Sequence, residues 1–246
     1  MKQNLYREKA LKVTLLIPTL NELIGMKEIM PKINREWVDQ IVIVDGGSTD
    51  GTIEYANANG YFLKVQKKKG IRNAYMEVLD YISGDIVITF SPDGNCIPEA
   101  ITALIEKMKE GYDMVIASRY AKDAKSYDDD LLTAFGNWFG TSLMNFLYGA
   151  KYTDAMGIFR AYKKKLIQDL DLDKDLSYST PEKILHTKIS WEPLLSIRAA
   201  KSRLKITEIP ADEPRRVGGN RKLQRFKWST AYLFQIIREV FIWRLS

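Results

Sequence analysis

Four times in its first half the chain runs through an apolar, largely β-branched stretch and stops abruptly in a polar loop. Val13-Thr14-Leu15-Leu16-Ile17 leads into Pro18-Thr19-Leu20-Asn21-Glu22, and Ile41-Val42-Ile43-Val44 into Asp45-Gly46-Gly47-Ser48-Thr49-Asp50-Gly51-Thr52. Asp85-Ile86-Val87-Ile88-Thr89-Phe90 leads into Ser91-Pro92-Asp93-Gly94-Asn95, and Met114-Val115-Ile116-Ala117 into Ser118-Arg119-Tyr120. Short apolar runs bounded by turn residues read as buried strands. Helical segments are expected between them over 23–35, 52–59, 71–82 and 98–109, the last opening on a proline suited to a first turn. Strand and helix in alternation predict an α/β fold, a Rossmann-like, mostly parallel, doubly wound sheet. In such a sheet ligands bind outside the carboxyl ends of the strands, so the four polar loops are expected to meet in one crevice.

A chain of 246 residues is long enough for one large domain with a substantial core. Its single cysteine, Cys96, excludes an internal disulfide, and its single histidine, His186, cannot build a zinc site, so a reducing compartment is expected. The formal charge of +6 favours an anionic partner without choosing among nucleotides, phospholipid surfaces and nucleic acid. The N-terminal lysines ahead of Val13 resemble a signal peptide only superficially, because Pro18, Asn21 and Glu22 interrupt the apolar run. The uncharged stretch from Leu131 to Ala150 carries too many glycines, asparagines and hydroxyls for lipid on all sides, and reads as a protein-packed or interfacial helix.

Beyond Ala121 the alternation stops. Residues 122–130 form an acidic stretch without periodicity, expected to be a mobile loop ahead of the helix that starts at Leu131. A short strand is expected over 158–162, a helix over 191–201 and a strand over 204–209. The division expected is a domain over 1–214, with a nucleotide-sugar half to 120 and an acceptor half after it, and a basic, aromatic tail over 215–246. In that tail Arg215, Arg216, Arg221, Lys222, Arg225 and Lys227 precede an amphipathic pattern. Trp228, Tyr232, Ile236, Val240 and Trp243 fall on one arc, and Lys227, Gln235, Arg238 and Glu239 on the other. The helix cannot span a bilayer, but such a face behind a basic cluster suits an anionic membrane interface; the same face would serve docking on the protein's own core or a homodimer.

The motif set resembles the family-2 glycosyltransferases, inverting enzymes of the GT-A fold, over nearly the whole chain. Pro18 to Glu22 is similar to that family's P-x-x-N-E, Val44 to Thr52 to its V-D-D-G-S-T-D-G-T, and Ser83-Gly84-Asp85 precedes the strand that bears its DxD. The resemblance implies a sugar transferred from a nucleotide-diphosphate sugar. It implies a nucleotide pocket formed by Pro18, Thr19, Asn21, Glu22, Asp45, Gly47, Ser91 and Asp93, with Arg72 and Asn73 near the diphosphate. Gly46 stands where the family has a second aspartate, and Ser91 where DxD has its first. Asp93 is therefore the expected ligand of a divalent cation, Mn2+ or Mg2+, acting as Lewis acid on the departing diphosphate. Asp50, followed by Gly51-Thr52, also reads as a helix cap.

The rear half resembles the polyprenyl-phosphate hexosyltransferase branch, the dolichol-phosphate mannosyltransferase type. Its marks are Ser118-Arg119-Tyr120, Asp154 to Arg160 (similar to D-x-x-S-G-F-R), and Glu208-Ile209-Pro210 followed by Arg216, Gly218, Gly219 and Lys222. The resemblance implies an acceptor bound by Arg119, Asp154, Arg160, Arg216 and Lys222. A phosphomonoester is already an anion at neutral pH and needs cationic positioning rather than a base. A sugar hydroxyl on a cell-surface glycan would need one; Glu192, in Trp191-Glu192-Pro193 ahead of Arg198, resembles the acid that serves as base in other family members, with Asp154 instead orienting the acceptor. The expected setting is cytoplasmic and peripheral, at the inner membrane face, in envelope biogenesis, with no nucleic-acid partner. A catalytically inactive nucleotide-binding scaffold is the alternative of a different class.

Overall fold

The computed structural model describes residues 11–218 and 225–242. Seven strands form one sheet: β1 (Val13–Thr19), β2 (Gln40–Asp45), β3 (Phe62–Val65), β4 (Ile86–Thr89), β5 (Met114–Ser118), β6 (Arg160–Lys163) and β7 (Ile206–Pro210), in the order β3-β2-β1-β4-β6-β5-β7. All neighbours pair in parallel except β6, which runs antiparallel to both β4 and β5. The carboxyl ends of β1, β2, β4 and β5 therefore lie along one rim, as the strand-to-loop pattern predicts.

Within each strand successive side chains point to opposite faces. Leu15, Ile17, Ile43, Ile86, Ile88, Val115 and Ala117 join one core beneath α1 (Leu23–Ile29), α2 (Thr52–Ala58) and α4 (Ala100–Lys109). Leu16, Val42, Val44, Val87, Met114 and Ile116 join a second core, covered by α3 (Ile71–Val78), α5 (Leu131–Tyr148), α6 (Leu166–Asp169), α7 (Leu176–Leu185), α8 (Glu192–Lys201) and α9 (Arg225–Ile242). Several helices are shorter than predicted: α1 stops at Ile29 and gives way to single turns at Met30–Lys32 and Arg35–Trp37, and α3 ends at Val78 before a turn at Leu79–Tyr81.

Two departures bear on the rim. The acidic segment 122–130 is pinned rather than loose: Ser126 bridges Glu213 in parallel, Tyr127 N–H donates to Glu213 O at 2.8 Å, and Lys125 N–H to Asp212 Oδ1 at 2.8 Å. The tail helix α9 packs on α5, α7 and α8 through parts of both expected arcs. Gln235, Ile236 and Glu239 are buried, with Glu239 accepting from Arg198 Nε at 2.9 Å, while Phe234, Ile237, Val240 and Phe241 face outward. Glu239 of the polar arc docks beside Ile236 of the apolar one because Arg198, itself buried in α8, needs a carboxylate there.

Candidate active site

The first two loops are one structure. Asn21, in the left-handed region at φ 50°, accepts at Oδ1 from Thr49 N–H at 2.9 Å, and its own N–H donates to Ser48 Oγ at 2.7 Å. Glu22 N–H reaches Thr52 Oγ1 at 2.9 Å, and Leu23 N–H reaches Asp50 Oδ2 at 3.0 Å. Asp50 also accepts from Thr52 N–H, the capping role its sequence suggests. Burial opposes its ionisation, but the bonds from Thr52 and Leu23 outweigh that and hold its carboxyl below the usual range. The matched motifs around Asn21 and Ser48 thus explain each other as mutual hydrogen-bonding partners.

Asp45 is expected to meet the nucleotide, but its side chain is fully buried. It accepts from Thr19 Oγ1 (2.7 Å), Gly47 N–H (2.8 Å), Ser48 N–H (2.7 Å) and Ser48 Oγ (2.6 Å). It shapes the loop that displays Gly47, which stands at φ 91° with open space where a Cβ would be. Pro18 and Ser91 are half-buried along the same rim, and Thr19 is buried beneath it.

At the end of β4, Asp93 Oδ2 pairs with Arg216 at 2.8 Å, Asp93 Oδ1 accepts from Asn95 N–H at 3.2 Å, and Asp93 O accepts from Val217 N–H at 2.7 Å. Residues 215–218 thus lie across the loop as a strap. Gly94 permits this close approach, since a Cβ there would stand 2.7 Å from Val217, and Gly25 lets α1 approach the other side of the loop, where a Cβ would stand 2.4 Å from Pro92 O.

Arg216 also pairs with Asp128 at 3.5 Å, and Asn95 Nδ2 donates to the same carboxylate at 3.1 Å. Arg119 is gripped by Asp154 through Nε (2.6 Å) and Nη2 (3.0 Å), by Glu213 at 3.1 Å and by Asp129 at 3.4 Å. Five carboxylates therefore surround two guanidiniums. Burial opposes ionisation of Asp154, but Arg119 more than offsets this and its carboxyl stays below the usual range; at Glu213 burial prevails and the carboxyl is pushed up. This network joins the loops after β4 and β5, the turn before β6 and the strap after β7.

Four expected site residues lie elsewhere, each held by its own partners. Arg72 is buried under α7, pairing with Asp175 at 2.6 Å and Glu182 at 3.1 Å and stacking on Tyr178 at 4.3 Å, so it ties α3 to α7 rather than meeting a diphosphate. Its neighbour Asn73 caps Lys69 O at 2.7 Å, on the wall of a cleft of about 650 Å³ with Lys64, Lys67 and Lys68. Arg160 is fully buried and bonds Gly157 O (2.8 Å), Ala155 O (3.2 Å), Glu192 O (3.2 Å) and Ser196 Oγ (2.8 Å), clamping the turn before β6 onto α8. Glu192 is sealed beneath Trp191, accepts from Tyr75 Oη at 3.0 Å, and is pushed up to about 7 by burial. Lys222 lies outside the described residues, as does Trp243.

Comparison with known proteins follows this geometry. The model of glycosyl transferase family 2 matches residues 14–171. The chain belongs to glycosyl transferase family 2. It is similar to glycosyltransferase AglJ of Haloferax volcanii, 28% identical over 199 residues that cover 80% of this chain and 61% of that one. It is also similar to the dolichol-phosphate mannosyltransferase of Pyrococcus furiosus, 36% identical over 123 residues, 47% of this chain and 35% of that one. The chain thus spans less than two thirds of the length of both relatives. Glucosyl-3-phosphoglycerate synthase from Mycobacterium tuberculosis, solved with Mn2+, UDP and phosphoglyceric acid, superimposes with a TM-score of 0.66 at 18% identity over 96% of this chain and 80% of that one, which shows the shared GT-A fold. The relatives place this family-2 chain beside the polyprenyl-phosphate sugar transferases, in line with its rear-half motifs.

Asn95, Arg216 and the strap are what sequence reasoning undervalued. Asn95 follows Asp93 by two positions, yet only the structure shows its Oδ1 buried without a partner.

Proposed function

We propose that this family-2 chain transfers a sugar from a nucleotide-diphosphate sugar, with inversion, to a membrane-borne polyprenyl phosphate. The observation that carries this reading is the charged network from Asp93 to Arg119 and Asp154, which links the strand-end loops of the first half to the second-half motifs at one rim. Among the described residues no three histidine, cysteine or carboxylate side chains are arranged to hold a metal ion. A divalent cation nevertheless fits a smaller protein share, because the Asp93 carboxylate and the unpartnered, buried Asn95 carbonyl are hard oxygen donors beside a diphosphate that supplies more. When bound, Mn2+ or Mg2+ supplies a Lewis acid for the departing diphosphate.

The protein's own part is positioning. Loops one and two, locked together through Asn21, Ser48 and Asp45, present Gly47 and backbone groups to the nucleoside. Arg216 leaves Asp93 for phosphate as the donor seats, and Arg119 orients the acceptor phosphate from its carboxylate cradle. A phosphate acceptor is favoured over a sugar hydroxyl because Glu192, the carboxylate expected as base, is buried and held by Tyr75, and Asp154 beside the acceptor site is buried and held by Arg119. The phosphate oxygen attacks without transferring a proton, and inversion follows from one in-line displacement. The setting is a cytoplasmic membrane face, reached peripherally; among the described residues no helix is long and apolar enough to cross a bilayer.

The test is a thermal-shift screen of nucleoside diphosphates with and without Mn2+, followed by sugar transfer to a polyprenyl phosphate. Ligand at a hundred times its dissociation constant adds about 2.7 kcal/mol, or roughly 5–10 °C for a chain of this size. Stabilisation by one nucleoside diphosphate, and transfer lost in Asp93→Ala, is expected. A parent that binds the nucleotide but neither transfers nor hydrolyses the donor is the inactive scaffold, and the transferase reading fails.

A further inference from the structure

Helix α5 is 18 residues long and contains no charged side chain, yet one whole side of it faces out. Leu131 is 92% exposed, Trp138 61% and Phe146 84%, with Phe135 and Phe139 beside them. The Phe135 ring lies 5.7 Å from Trp138 and 6.3 Å from Phe139, so these rings form a surface cluster rather than isolated side chains. The opposite side, with Asn137, Gly140, Thr141 and Met144, is buried. A helix apolar on its outer side contradicts the ordinary pattern of a surface helix in water.

Helix α9 repeats the contradiction and touches α5. Two of its ionic groups turn inward: Glu239 pairs with Arg198, and Arg238 donates to Ser177 O at 3.3 Å and Leu176 O at 3.2 Å. Its outward side carries Phe234, Ile237 and Phe241, the last 81% exposed. The two helices meet where Tyr148 Oη donates to Ile236 O and where Ile236 lies in van der Waals contact with the α5 backbone at Gly140. Neither helix is long and apolar enough to cross a bilayer.

We infer that the outward sides of α5 and α9 form one platform seated in the interfacial layer of an anionic bilayer leaflet. The occupant is chosen by charge: Arg215 and Lys227, both exposed, flank Arg221, Lys222 and Arg225 in the sequence, and Lys151 is exposed just past the end of α5. Such a fringe is drawn to anionic headgroups, each basic residue near the surface contributing on the order of 1 kcal/mol, whereas two copies meeting through this face would oppose like charges. Aromatic side chains mixed with aliphatic ones are the composition of helices that lie in the interface plane. From the transferase reading the inference takes only the acceptor's whereabouts; the seating itself stands on the exposed rings and the basic fringe.

The experiment uses the full chain with vesicles of phosphatidylcholine, alone or mixed equally with phosphatidylglycerol, whose acyl chains carry bromine. Cosedimentation is expected with the mixed vesicles and to fall as salt rises, with tryptophan emission quenched by the brominated chains. Trp138→Phe should bind as the parent does but lose a large part of that quenching. Phe135→Ser with Phe139→Ser, and separately Phe241→Ser, should weaken binding about tenfold or more, since burying one such ring contributes roughly 1.5–3 kcal/mol. Unchanged melting and nucleotide binding in these variants show that they fold. Binding unaffected by the serine variants, quenching unaffected by Trp138→Phe, or a dimer in sedimentation equilibrium that Phe135→Ser with Phe139→Ser dissolves, overturns the inference. Failure of the parent to bind any nucleotide would remove the transferase reading and leave the vesicle result standing.

Discussion

Asp45 ends β2 with both carboxylate oxygens already taken by Thr19, Gly47 and Ser48. Asp45→Asn would offer an amide to donors that need acceptors, so a loss of about 1–3 kcal/mol in urea unfolding is expected, together with weaker nucleotide binding. Glu192 gives a pH signature. Its carboxyl titrates near 7 when folded and near 4.5 when exposed, so the folded state holds the proton more tightly. The stability this contributes is fully present below pH 4.5 and is lost as pH rises through 7, on the order of 3 kcal/mol in all. Glu192→Gln, which keeps an oxygen for Tyr75, should flatten that limb of the stability profile. Arg72→Met strips Glu182 of its buried guanidinium but leaves Lys188 at 2.6 Å, so a loss of about 2 kcal/mol with unchanged nucleotide affinity is expected. A sequence cannot show that the partners of Arg72 lie more than a hundred positions away, and for that reason Arg72 reads as a residue near the diphosphate when it is an internal strut.

At the scale of elements, the four strand-to-loop transitions were readable because a buried strand has few other ways to end, and all four strands formed where the apolar runs lie. Helix α7 was not read: Pro181 sits inside it and its apolar pattern is weak. The reversed direction of β6 was also hidden, since four residues carry no mark of orientation. The strap is the element with most consequence for ligands. Arg216 holds the carboxylate that a cation would need, so Arg216→Met should raise Mn2+ affinity in the absence of nucleotide, read from the electron paramagnetic resonance of free Mn2+. Unchanged Mn2+ affinity would show that the guanidinium does not compete at Asp93.

For the whole molecule, the tail pattern identified an amphipathic helix but not that Gln235 and Glu239 would be buried beside Ile236 while Phe234, Ile237 and Phe241 face out. The helical wheel sorts residues by polarity, whereas the buried Arg198 decides the orientation by demanding Glu239. The sheet carries a last consequence. Ser118 and Thr153 touch through their hydroxyls at 2.5 Å, and Arg119 grips Asp154, so the excursion of chain between them departs from and returns to the same point of the rim. Because its two ends are stapled together, that excursion is a cassette. Its length can therefore change without parting the end of β5 from the turn before β6.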